Sequence, residues 1–213
     1  MNAKEHKPSG KRAESKDESR QRILAAAADM LREEGGGGFS VADVMARAGL
    51  THGAFYSHFP DKDALIEAAF RAAFNYRESW LAAAQGARRE DRVPRLLQGY
   101  LNAKHRDRPA AGCAFAACTQ EFAHGTAAQR RAFADEIETT LNRLTALLGD
   151  KDGNADAASC ESEVIGLLSL CVGAMSLARA VDDPALSNRI LEAALTYGAS
   201  NRPDTGLSDN DPS

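Results

Sequence analysis

No apolar run in this chain stands out as long enough to span a membrane, and its N-terminus is polar and charged where a signal peptide is apolar. Both absences lead us to expect a soluble, cytoplasmic protein with no membrane partner. Runs of β-branched residues with period-two alternation are missing too, while helix formers dominate, so the expected fold class is all-α. The four cysteines lack the spacing of a small secreted scaffold and fit a reducing compartment. There is no nucleophile elbow, phosphate loop or metal-binding helix, and no internal repeat. Those gaps speak against an enzyme and leave no cofactor or metal to expect.

What is present is a chain of 213 residues with 44% hydrophobic content, enough for a sizeable core in one or two domains. The net charge of −4 is unevenly distributed. Residues 1–64 carry ten Lys/Arg and ten Asp/Glu, leaving sixteen basic and twenty acidic residues for the remainder. Within the first 22 residues, seven basic side chains stand against four acidic ones. Such an arm either lies along nucleic-acid phosphate or is a solvated tail without a role.

The most informative stretch runs from Phe39 to Leu65. Ser40 stands at a helix N-cap with Asp43 three residues on, close to a capping box. Val41, Val44, Met45 and Ala48 recur at helical spacing, and Gly49 suits a left-handed stop. Thr51 can cap a second short helix whose Phe55 and Phe59, four apart, point inward. His52, Ala54, Tyr56 and His58 are left for the other faces, the pattern of a recognition helix; the alternative for Tyr56 is a half-buried core aromatic.

The run Gly49-Leu50-Thr51-His52-Gly53-Ala54-Phe55-Tyr56-Ser57-His58-Phe59, followed by Pro60, Asp61 and Lys62, resembles the helix-turn-helix of the TetR (tetracycline-repressor) family of transcriptional regulators. The likeness covers roughly residues 18–66. Ala54 departs from it, since the family more often has Ser or Thr there. The resemblance implies an N-terminal three-helix helix-turn-helix DNA-binding domain followed by a C-terminal helical ligand-binding and dimerisation domain. It also implies that Tyr56 and His58 donate to phosphates and that Lys62 adds charge to another. Ser40 and Thr51 serve at helix N-termini, where free amides attract phosphate. His52, Gly53 and Ala54 face the base edges of double-stranded operator DNA, with His52 the direct reader.

The chain then divides into a flexible basic arm at 1–15, a DNA-binding domain at 16–64, an effector and dimerisation domain at 65–200, and a disordered tail at 201–213. The first helix is expected from Ser15 or Lys16 to Glu34, ended by a loose Gly35–Gly38 loop. Further helices are expected from Asp61 towards Trp80, over 92–105, through Cys113–Phe122, and over 127–148, 157–181 and 184–199, with a polar loop at 149–155. The helix at 157–181 is apolar on more than one face, with Gly166, Gly173, Ala174 and Ala178 allowing close approach. The last two helices are therefore expected to build a homodimer, and the resemblance implies a four-helix bundle across a two-fold axis; the alternative is that they complete a monomeric core. Two-fold symmetry predicts a palindromic operator with half-sites a helical turn or more apart.

Residues 100–122 resemble the ligand-lining segment of one subgroup of that family, which implies a small hydrophobic or aromatic effector. Tyr100, His105, Cys113, Phe115 and Glu121 are the candidate contacts, with His124 a further one. Two other readings stay open. Cys113 behind Gly112, near a helix N-terminus, suits a redox or electrophile sensor, and Cys113 with His105 suits a small all-α thiol enzyme. Against both, all four cysteines can be small buried hydrophobes, and Cys113, Cys118, His105 and His124 match no familiar zinc spacing. A third possibility, a dimeric interaction protein that has lost DNA binding, is opposed by the intact Tyr56, His58 and Lys62.

Overall fold

The computed structural model describes residues 9–149 and 157–200, with side chains from residue 15 and, after the gap, from residue 160. The basic arm and the polar loop therefore lie largely outside the described residues, and the C-terminal tail wholly so. Every regular element described is helical: α1 (Ser9–Glu34), α2 (Val41–Arg47), a 3₁₀ segment His52–Ser57, α3 (Lys62–Ala72), α4 (Asn75–Ala82), α5 (Arg89–Tyr100), α6 (Ala103–Arg106), a 3₁₀ turn Pro109–Ala111, α7 (Ala114–Ala123), α8 (Ala127–Leu148), α9 (Ala157–Ala180) and α10 (Pro184–Ser200). The first helix thus starts ahead of the expected Ser15.

α1 is the spine, packing on α2, α3, α7 and the Pro109–Ala111 turn. Its Ile23, Ala27 and Leu31 are fully buried, at the three-to-four spacing of one face. Behind α3, a cluster of Phe70, Phe74, Phe115, Phe122 and Phe133 joins α7 and α8, with Phe70 4.2 Å from Phe122 and 4.8 Å between Phe74 and Phe115. Such offset and edge contacts add to the apolar burial they accompany.

Two expected helices are broken. The helix capped by Asp61 does not run to Trp80 but stops at Ala72 and restarts at Asn75. The buried Arg32 reaches across and donates Nη1 to the Ala73 carbonyl at 3.0 Å, supplying the partner that the next helical turn would have provided. The helix expected over 92–105 is likewise divided, ending at Tyr100 and resuming at Ala103 after Asn102 caps the His105 amide. The local spacing of the side chains is the same with and without these breaks, so only the tertiary partners reveal them.

The Gly35–Gly38 loop is closely fitted rather than loose. Gly35 takes φ +72°, and a Cβ on Gly38 would lie 2.5 Å from the Glu34 carbonyl oxygen. A Cβ on Gly36 would collide with the carboxylate of Glu121, which accepts the Gly36 N–H.

One expectation on membrane-spanning length needs correction. Cys160–Ala180 of α9 is a 21-residue stretch with mean hydropathy 1.5, long and apolar enough to cross a membrane by length and composition. Its apolarity has another outlet here. Val164, Leu168, Cys171 and Met175 are buried against neighbouring helices, while Ile165 (44% exposed) and Leu177 (61%) share a second stripe with Ser169 and Gly173. On α10, Leu186 and Tyr197 are also exposed.

Candidate nucleic-acid interface

The site begins with α2. Ser40 and Asp43 form the reciprocal capping box: the Ser40 hydroxyl accepts the Asp43 amide at 3.2 Å, and the Asp43 carboxylate accepts the Ser40 amide at 2.8 Å. The Ser40 hydroxyl, donating to the Asp43 carboxylate at 2.6 Å, and the Ser40 amide hold the Asp43 carboxyl below its ordinary range. At the other end Gly49 takes φ +67°, and the Leu50 amide returns to the Met45 carbonyl at 2.9 Å. The chain then turns into His52–Ser57, which is a single 3₁₀ stretch rather than an α-helix. Its bonds run from Ala54 N to Thr51 O (3.0 Å) and from His58 N to Phe55 O (2.8 Å). Thr51 occupies the N-cap position, but its hydroxyl makes no capping bond.

Phe55 and Phe59 anchor this segment inward, both under 4% exposed, with ring centroids 5.9 Å apart. Tyr56 is turned out, 68% exposed, with the His52 ring edge-on at 6.2 Å. Gly53 is exposed and a Cβ there would meet nothing within 4 Å, so no internal contact demands a glycine. Ala54 is half-buried and packed against the core. His58 is also half-buried. Its Nδ1 is shut from water without a partner among the described residues, and desolvation together with Lys16 and Arg20 lowers its pKa. The Lys62 ammonium donates to the Phe39 carbonyl and lies 5.0 Å from the Phe39 ring centroid.

Sequence reasoning missed the arginines that hold this face together. Arg22 donates to the carbonyls of Ala48 and Gly49, closing the C-terminus of α2, where a cation is favoured. Arg20 donates to the His58 carbonyl at 3.0 Å and lies 4.4 Å over the Phe59 ring. Their spacing from the turn, 26 and 38 residues, leaves no local signal.

The expected effector residues fall in two places: Tyr100, His105, Cys113 and Phe115 lie in the filled core, while Glu121 and His124 border an open cleft. Tyr100, His105 and Cys113 meet in the core. Tyr100 is fully buried with its hydroxyl against the Cys113 thiol, and both ring nitrogens of His105 are taken up by backbone. Phe115 is locked in the aromatic cluster, and the void beside Cys113 and Phe115 is only about 10 Å³, about one water. Glu121 lies elsewhere, on the Gly36 amide, and His124 is exposed beside Gln120. Burial pushes the Cys113 thiol up, and His105 Nε2 is spent on the Cys113 amide, so neither the activated-thiol sensor nor the Cys113–His105 nucleophile is present in this geometry. No group of three or more potential metal ligands occurs among the described residues.

Residues 23–69 match the model of bacterial regulatory proteins of the tetR family. Over 58 residues the chain is 45% identical to the HTH-type transcriptional regulator CymR of Pseudomonas putida, a match spanning 27% of this chain and 29% of that protein. Its backbone is similar to a TetR-family transcriptional regulator from Cytophaga hutchinsonii (TM-score 0.71, 23% identity, 92% of this chain and 97% of the other). It is also similar to a TetR transcriptional regulator from Chloroflexus aurantiacus (TM-score 0.64, 25% identity, 87% and 94%).

Proposed function

Residues 23–69 belong to the tetR family of bacterial regulatory proteins, and from that premise we propose that the whole chain is a cytoplasmic, homodimeric transcriptional repressor that leaves a palindromic operator when a small molecule binds. The observation that carries this reading is the pairing of two buried phenylalanines, Phe55 and Phe59, with an outward face of His52, Gly53 and Tyr56. An exposed aromatic beside a glycine that no internal contact requires gains little from water and much from a groove.

In this reading Tyr56 donates its hydroxyl to a phosphate. His58, whose pKa desolvation lowers, offers a ring nitrogen to a second phosphate. Ser40 and Thr51 bring the free amides of their segments to the backbone, and the Lys62 ammonium adds field while holding Phe39. His52 reads a purine acceptor, and Gly53 permits the approach. Ala54, half-buried, contributes at most a methyl contact.

The dimer is built from the exposed stripes of α9 and α10. Ile165, Gly173 and Leu177 recur on one face, and neither Gly166 nor Gly173 has anything within 4 Å of a would-be Cβ, so a partner helix can approach closely. A symmetric pairing buries Leu177 and Tyr197 at once.

The test is fluorescence-anisotropy titration of DNA from upstream of the protein's own gene, at two salt concentrations, against random competitor. Tight, salt-sensitive and sequence-selective binding supports the repressor. Absence of binding at low salt to that DNA and to a randomised pool overturns it.

A further inference from the structure

Among the described residues, one hydrogen bond joins the chain beyond residue 69 to the stretch 35–59, which holds the glycine loop, α2 and the reading segment. In it the Glu121 carboxylate, on α7, accepts the Gly36 N–H. The other bonds that cross this boundary end on α1 or α3: Arg32 donates to the Ala110 carbonyl, the Cys118 thiol lies 3.6 Å from the Leu31 carbonyl, and Gln129 lies 3.4 Å from Asp63. α7 is itself fixed from beneath, since Phe115, Cys118 and Phe122 bury one face of it in the core. Glu121 therefore stands on a rigid post. The loop has little else to lean on: Gly37 and Gly38 are exposed, and Gly35 and Gly37 border an open cleft of about 900 Å³.

The approach needs glycine. A Cβ on Gly36 would strike the Glu121 carboxylate and lie 3.0 Å from Ile66 Cδ1. At its far end the loop is fastened within the DNA-binding domain: Phe39 is buried, its carbonyl takes the Lys62 ammonium, and the Ser40–Asp43 box starts α2. Without the α7 contact, four consecutive glycines would join two fixed ends. Glycine gives up more conformational freedom on ordering than any other residue. A loop left free would have to be ordered at the moment of DNA binding, whereas an anchored loop has met that cost in advance. The anchor is a carboxylate on an N–H, a charge-assisted bond roughly twice as strong as a neutral one.

We propose that Glu121 is a positioning residue for operator binding, one that fixes the pitch of α2 from the domain behind without touching DNA. The proposal rests on the regulator reading above. α2 packs on the His52–Ser57 segment, so the entry angle of α2 is passed to the reading face. When the bond is lost, the ties on α1 and α3 hold while the start of α2 drifts. The reading face then samples several pitches, of which one matches the groove.

The experiment uses the full chain and the duplex that the wild type selects from a randomised pool. Glu121→Ala is expected to weaken binding to that duplex on the order of tenfold. The salt dependence of the affinity stays as in the wild type, because no phosphate contact is removed. Glu121→Gln keeps an acceptor oxygen for the Gly36 amide and recovers most of the loss. Both variants carry the same charge change, so the pair separates the bond from the charge. Gly36→Ala reproduces the loss, and adding it to Glu121→Ala weakens binding no further. Without DNA, amide hydrogen exchange over residues 35–48 is expected to quicken in Glu121→Ala while exchange in α8 is unchanged. Wild-type affinity in Glu121→Ala, a salt slope that falls with the affinity, a Glu121→Gln variant as weak as Glu121→Ala, or unchanged exchange over 35–48 overturns the proposal. Should the wild type select no duplex, the regulator reading falls, and the exchange measurement still decides whether Glu121 fixes the loop.

Discussion

His105 accepts the backbone N–H of Cys113 on Nε2 at 3.0 Å, which fixes the ring as the neutral Nδ1–H tautomer and directs that proton to the Tyr100 carbonyl at 2.8 Å. One imidazole thereby staples the end of α5 to the start of α7. Burial, opposed by the Tyr100 bond and reinforced by Arg179, lowers its pKa from 6.5 to about 4. The unfolded chain therefore binds a proton at a pH where the folded one does not. This contribution is complete above pH 6.5 and is lost as pH falls towards 4, about 3 kcal/mol in all. Denaturant unfolding of the wild type and of His105→Phe at pH 7.5 and 5.0 measures it, and the variant is expected to lose the larger part of the pH slope. Equal slopes would remove the staple assignment.

The glycine loop offers a graded series. In Gly36→Ala the new methyl displaces the Glu121 carboxylate and loses its bond, an expected cost of about 1–2 kcal/mol. Gly38→Ala meets backbone that cannot swing aside and costs more, whereas Gly37→Ala meets nothing within 4 Å. Gly36→Ala and Glu121→Ala act on one contact, so a double-mutant cycle of chemical unfolding is expected to show strong non-additivity. Simple addition would mean that the contact contributes nothing.

On the DNA face, Tyr56→Phe deletes one donor from an exposed ring and is expected to weaken binding to every sequence by roughly fivefold, with Tm unchanged. Lys62→Ala differs, lowering Tm as well because the Phe39 carbonyl loses its partner. His52→Ala is expected to relax sequence preference, read by competition with variant operators.

Leu177→Arg places a charge on the exposed stripe of α9 without disturbing the monomer core. Sedimentation velocity is expected to show a monomer, and operator affinity is expected to fall with it. A dimer that persists would relocate the interface.

Thiol reactivity separates the buried cysteines from the remaining one. Cys113, Cys118 and Cys171 are buried with their thiols pushed up, while Cys160 is half-buried near the start of α9. Titration of the native protein with an aromatic disulfide at pH 7.5 is expected to label one cysteine promptly and the other three only on unfolding. Prompt labelling of Cys113 would restore the sensor reading.

Features written within a few residues were legible in the sequence: the Ser40–Asp43 box, the Gly49 stop, the inward Phe55 and Phe59, and the span of α8. The features that escaped are those whose causes lie far along the chain. Gly36 looks like slack until Glu121, 85 residues on, is placed against it. The break at Ala73 depends on Arg32, 41 residues earlier. The effector segment misled for a related reason. Aromatic and sulfur-bearing residues at helical spacing describe a cavity wall and a filled core alike, and Phe70 and Phe133 decide for the core.

The arginines around the DNA-binding domain carry one more consequence. Arg20, Arg22, Arg32 and Arg47 give their donors to the protein's own carbonyls and carboxylates. Those four guanidiniums spend donors on holding the domain together, so in the repressor reading non-specific attraction to duplex falls more heavily on the basic residues of the N-terminal arm. In that reading the arm's charges set how much of the protein the bulk chromosome holds away from its operator.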